Sequence, residues 1–88
     1  MSYHVLWMAR AVKQARRIPH AERVRIVESV GRLSAWPACM QDMDIKPLKG
    51  HVHQYRLRVG RYRVLFDVAT GPRVVSIEHV RKRDERTY

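Results

Sequence analysis

Three arginines bracket a tight turn near the middle of the chain, Arg56 and Arg58 before it and Arg63 after it, within Tyr55-Arg56-Leu57-Arg58-Val59-Gly60-Arg61-Tyr62-Arg63-Val64-Leu65-Phe66-Asp67-Val68. A guanidinium offers a planar fork of donors that matches phosphate oxygens and does not lose its proton at ordinary pH. Brought to one surface, such groups can hold a polyanionic backbone and stabilise charge that builds up on a phosphate. They cannot act as a base. His79 is the first candidate for proton transfer, because a neutral imidazole is available near pH 7 and it lies on the strand leading to Arg83. Asp67 and the pair His51 and His53 follow, whereas His4 and His20 read as surface residues.

The element that must position the arginines is a β-hairpin. Tyr55, Leu57 and Val59 alternate with Arg56 and Arg58, so apolar and cationic side chains leave opposite faces of a strand. Gly60-Arg61 fits a two-residue loop with glycine at the position that needs positive φ. That loop sets the register: Val59 opposite Tyr62, Leu57 opposite Val64, Tyr55 opposite Phe66, and Arg58 opposite Arg63. Arg56 falls one pair further along, and Asp67 falls on the same side. Like charges directly across a sheet repel, so the pattern favours an anion lying on that face over a solvated face kept for solubility.

Upstream, Tyr3 to Trp7 reads as a first strand ending near Met8. Ala9 to Ile18 reads as a helix with Ala11, Val12, Ala15 and Ile18 on one side, ended by Pro19. His20-Ala21-Glu22 opens a second helix whose apolar positions Val24, Val27, Val30 and Leu33, supported by Ile26, run up to Trp36, with Pro37 as its stop. Gly31 inside that helix points to close packing there. Residues Pro37 to His53 form a long connector, Ala69-Thr70-Gly71-Pro72 is a turn, and Val74 to Val80 is a further strand. The fold expected is α+β, in the order β-α-α-β-β-β, with a twisted antiparallel sheet, a helical hairpin on one face and the other face open.

The chain has 88 residues, which suits one domain spanning 1–88. Lys+Arg number 18 against 8 Asp+Glu, a formal net charge of +10, which favours a phosphate-rich partner or an acidic protein over a small metabolite. No apolar run approaches membrane-spanning length and no signal-peptide pattern opens the chain, so a cytoplasmic protein without a membrane partner is expected. Cys39 is the single cysteine. A zinc site from Cys39, His51, His53 and His79 matches no common ligand spacing, so no metal or other cofactor is expected. The two basic helices lack the turn and polar face of a groove-reading helix-turn-helix, which argues against sequence-specific DNA binding by this chain alone.

The run Lys46-Pro47-Leu48-Lys49-Gly50 leading into the Tyr55 to Phe66 hairpin, the order of elements, and the closing Lys82-Arg83-Asp84 with Tyr88 resemble the RelE/ParE superfamily of toxin–antitoxin toxins along essentially the whole chain. The RelE-like branch of that superfamily consists of ribosome-dependent endoribonucleases that cut mRNA, and the ParE-like branch of gyrase inhibitors without catalysis. The resemblance favours the former and keeps the latter as the alternative. It implies an active centre at Arg56, Arg58, Arg63, Arg83 and Tyr88, with Arg81 or Lys82 able to fill the position given to Arg83. Lys49, Arg61, Arg81 and Lys82 would be flanking contacts to RNA or ribosome. It also implies a cognate acidic antitoxin, with the ribosome and mRNA as the other partners.

Overall fold

The computed structural model describes residues 2–83, so Tyr88 and Asp84, both singled out in the sequence, lie outside the described residues. Strand β1 (His4–Trp7) leads into helices α1 (Ala9–Arg16) and α2 (His20–Gly31), followed by strands β2 (Ile45–Pro47), β3 (Tyr55–Val59), β4 (Tyr62–Ala69) and β5 (Val74–Lys82). The sheet order is β1-β5-β4-β3-β2. This is the α+β arrangement expected, with two differences. The sheet is mixed rather than wholly antiparallel, because β1 runs parallel to the last strand, β5. The connector also contributes a strand of its own, β2, which pairs Ile45 with Leu57 and ends at Pro47.

Both helices stop earlier than their apolar pattern does. After Arg16 the chain tightens, with the Ile18 amide donating to the Ala15 carbonyl at 3.1 Å, before Pro19 opens α2. After Gly31 it continues as a 3₁₀ turn over Arg32–Ala35, and Trp36 is extended ahead of Pro37, as a residue preceding proline prefers. A second 3₁₀ turn covers Ala38–Gln41. Gly31 does not mark close packing, since a Cβ there would meet nothing within 4 Å.

The hairpin forms in the expected register: Val59 faces Tyr62, Leu57 faces Val64, Tyr55 faces Phe66, and Gly60 takes a φ of +57°. Leu57, Val64, Phe66, Val75 and Ile77 from the sheet pack against Ile26, Val30 and Leu33 in one core. Trp36 closes it, edge-on to Tyr55 at 4.8 Å and to Phe66 at 5.6 Å between ring centres. Cys39 is also buried in this core, which raises its thiol pKa through burial.

Strand β5 carries the feature that matters most for the other face. It pairs Leu65 with His79 but Phe66 with Ile77, so Glu78 is an extra residue, a β-bulge. Val75 and Ile77 point to the core, and unbroken alternation would send His79 and Arg81 after them. The extra residue exchanges the faces: Val80 enters the core, and His79 and Arg81 emerge opposite Leu65 and Arg63.

Beyond Ile77, no strand of the described residues lies on the β1 side of β5, and α1 takes that place with side chains. Arg10 Nε donates to the Glu78 carbonyl at 3.2 Å, and the Val80 amide donates to Gln14 Oε1 at 2.7 Å. Buried Ala11 and Ala15 let the helix come this close.

Candidate active site

On the face away from the helices, Arg58, Arg63 and Arg81 stand in one row across β3, β4 and β5, each directly opposite the next. The Nε atoms of Arg58 and Arg81 are buried and donate no hydrogen bond among the described residues. Buried guanidinium donors without acceptors are costly, so the row is suited to oxygens of an anion.

The protein supplies part of the countercharge itself. Asp44, just before β2, lies 3.4 Å from Arg56 Nη1 and 3.6 Å from Arg58 Nε. The Arg56 side chain is only 7% exposed and committed to this pair, so of the two strand arginines Arg58 is the one presented to a ligand. Sequence reasoning placed both on the open face and missed Asp44, which lies in the connector with no pattern to tie it to the hairpin.

The segment from Leu48 to Gln54 crosses the same face and is pinned to β4 by Asp67. Asp67 Oδ2 accepts from His53 Nδ1 at 3.0 Å, Asp67 Oδ1 accepts from the Gln54 amide at 2.7 Å, and the Val68 amide donates to Gln54 Oε1 at 2.6 Å. His53 is 8% exposed, and its ring centre is 5.4 Å from that of His79. Arg10, His51, His53, Leu65, His79 and Arg81 line one hollow, so the histidine wall and the end of the arginine row share a site.

The two inner histidines differ in which nitrogen bears the proton. Asp67 accepts from His53 Nδ1, which leaves the lone pair of the neutral ring on Nε2. His79 Nδ1 faces two donors, Gln14 Nε2 and Arg81 Nη2, both at 3.1 Å, so its neutral ring carries the proton on Nε2. Burial, then Arg81, Arg10 and His53, lower the His79 pKa against a smaller opposing effect of Glu78. His79 is therefore held neutral with an N–H, and no lone pair, left to offer.

Arg83 is exposed beside the hairpin loop, its amide donating to the Arg61 carbonyl at 2.7 Å, and with Arg61, Arg63 and Lys82 it lines a second, wholly basic depression. The residue opposite Arg63 is Arg81, so of the C-terminal cations that the sequence left open, Arg81 joins the row and Arg83 continues it past the loop. Lys49 is exposed on the crossing segment. The zinc set does not assemble, since Cys39 sits in the core on the helix side. One ligand atom each from His53, Asp67 and Glu78 does lie within 4.8 Å of the others. A cation there would compete with Arg10, which is bonded to Glu78 at 3.0 Å.

A helical pair on one face of a mixed five-stranded sheet and a row of arginines on the other define a RelE-type toxin fold. No protein-family model matches the chain. A Methanocaldococcus jannaschii protein named as a candidate RelE1 toxin is 29% identical over 84 residues, covering 96% of this chain and 93% of the relative. The RelE–RelB complex from Pyrococcus horikoshii superposes with a TM-score of 0.80 at 29% identity, covering 99% of this chain and 100% of that one. The toxin–antitoxin complex RelBE2 of Mycobacterium tuberculosis gives 0.79 at 25% identity over 94% and 100%. By fold and sequence the chain is similar to RelE toxins of toxin–antitoxin pairs.

Proposed function

We propose that residues 1–88 form the toxin of a toxin–antitoxin pair, acting in the cytoplasm as a ribosome-dependent mRNA endonuclease that uses the substrate's own 2′-hydroxyl as nucleophile and no metal. The observation that carries this reading is the row Arg58–Arg63–Arg81, with buried Nε atoms at both ends that donate no hydrogen bond among the described residues, on the face the helices leave uncovered. In such a reaction negative charge grows on the non-bridging phosphate oxygens, and fixed guanidinium donors stabilise it without reorganising. Arg61, Lys82 and Arg83 extend the cationic surface along the strand ends, where the adjoining RNA would run. The antitoxin complexes of the similar toxins support a cognate antitoxin as partner, and the net charge of +10 supports an acidic one that covers part of this surface.

The test is induction of the wild type and of Arg63→Ala in growing cells, with mapping of transcript ends. Growth arrest with cuts inside translated codons is expected for the wild type, and neither for a stably folded Arg63→Ala protein. Arrest with intact transcripts and a DNA-damage response would replace this reading by gyrase poisoning.

A further inference from the structure

We propose that His53, oriented by Asp67, is the general base of this site, a reading that rests on the nuclease function proposed above. A base for the 2′-hydroxyl must present a lone pair within the substrate hollow, and must be held so that the lone pair cannot turn away. His53 meets both demands. Its Nδ1–H is fixed on Asp67 Oδ2 at 3.0 Å, its backbone amide is tied to His51 Nδ1 at 3.0 Å, and its Nε2 makes no hydrogen bond among the described residues. It lines the hollow together with Arg81, whose buried Nε donates no hydrogen bond among the described residues.

His79 fails the same demands. Both donors aimed at its Nδ1 fix the opposite tautomer, which leaves an N–H that can hold an oxygen of the substrate but takes no proton from it. The difference between the two rings is thus set by their neighbours, a carboxylate for one and an amide plus a guanidinium for the other.

The 2′-hydroxyl proton passes to His53 Nε2, the 2′-oxygen bonds to the adjacent phosphorus, and the bond from phosphorus to the 5′-oxygen breaks. The 5′-oxygen takes a proton from water, and the hydroxide left behind recovers the proton from the His53 imidazolium. The products are a 2′,3′-cyclic phosphate and a 5′-hydroxyl. Asp67 touches no substrate in this scheme; it is a positioning residue that holds the tautomer and stabilises the imidazolium.

Asp67→Asn separates this role from a structural one. The amide oxygen of Asn can still accept from Gln54, whereas its NH₂ would donate to His53 Nδ1 and move the ring proton to Nε2. With purified protein and mRNA-programmed ribosomes, the expected result is unchanged ribosome binding and an unchanged melt, with a single-turnover cleavage rate lowered by about 100-fold or more. His53→Ala should lose activity similarly and regain at least tenfold on addition of imidazole, which a merely structural histidine would not do. Cleavage within threefold of wild type by folded Asp67→Asn and His53→Gln, with Arg63→Ala inactive, would overturn the dyad and leave the nuclease reading standing. A wild-type protein that binds ribosomes and cuts nothing would overturn both.

Discussion

His79 shows how far a single ring can be steered by what surrounds it. Burial first, then Arg81 from its own strand, Arg10 from α1 and His53 from the crossing segment disfavour its protonated form, and Glu78 only partly offsets them. Its folded pKa is lowered, so the unfolded chain takes up the proton more readily than the native one. The stability contributed by this residue is complete above its ordinary value of 6.5 and is lost as pH falls from there through the folded value. Urea midpoints measured between pH 7.5 and pH 5 (on the order of one to two units either side of an ordinary histidine pKa) should therefore fall for the wild type and fall less for His79→Gln. A slope unchanged by the substitution would show that the acid sensitivity lies elsewhere.

At the scale of the element, the bulge at Glu78 is what gathers the site. It turns His79 and Arg81 outward while Val80 takes a place in the core, whereas strict alternation through Glu78 would send a histidine and an arginine inward. Deletion of Glu78 takes out the extra residue itself and keeps Ile77 and Val80 inside and His79 and Arg81 outside, so a cooperative thermal transition is expected to survive, at a lower midpoint because the contact with Arg10 is lost. A melt without cooperativity would show that the bulge does more than set the faces. The hairpin was readable beforehand because its loop length, its glycine and its alternation all agree, and three independent signals leave little room for another register. The bulge left only a faint trace: the apolar positions Val75, Ile77 and Val80 are spaced two and then three apart, a break in period that alternation alone does not interpret. Strand β2 was illegible for a different reason. Three residues ending in proline have no periodicity of their own, and their pairing is dictated by β3. Asp44 was hidden along with it, which is why Arg56 read as exposed when it is buried in an ion pair.

For the molecule as a whole, a formal charge of +10 on 88 residues means that the proposed binding to a ribosome or RNA would be driven by release of counterions. Affinity for programmed ribosomes should drop by at least about tenfold between roughly 50 and 200 mM salt. Replacing Arg83, which lies beyond the row, should weaken binding and flatten that salt dependence more than it slows the bound reaction. A binding curve insensitive to salt would mean that the charge serves something other than a phosphate backbone. The borders of the sheet bear on a separate matter. β2 is three residues long and finishes on Pro47, and past Ile77 the margin of β5 is closed by Arg10 and Gln14 rather than left bare. A highly apolar interior is thereby fenced on two sides against ribbon-like stacking of one copy on the next, so concentrated stocks should resist fibril growth for as long as α1 stays docked.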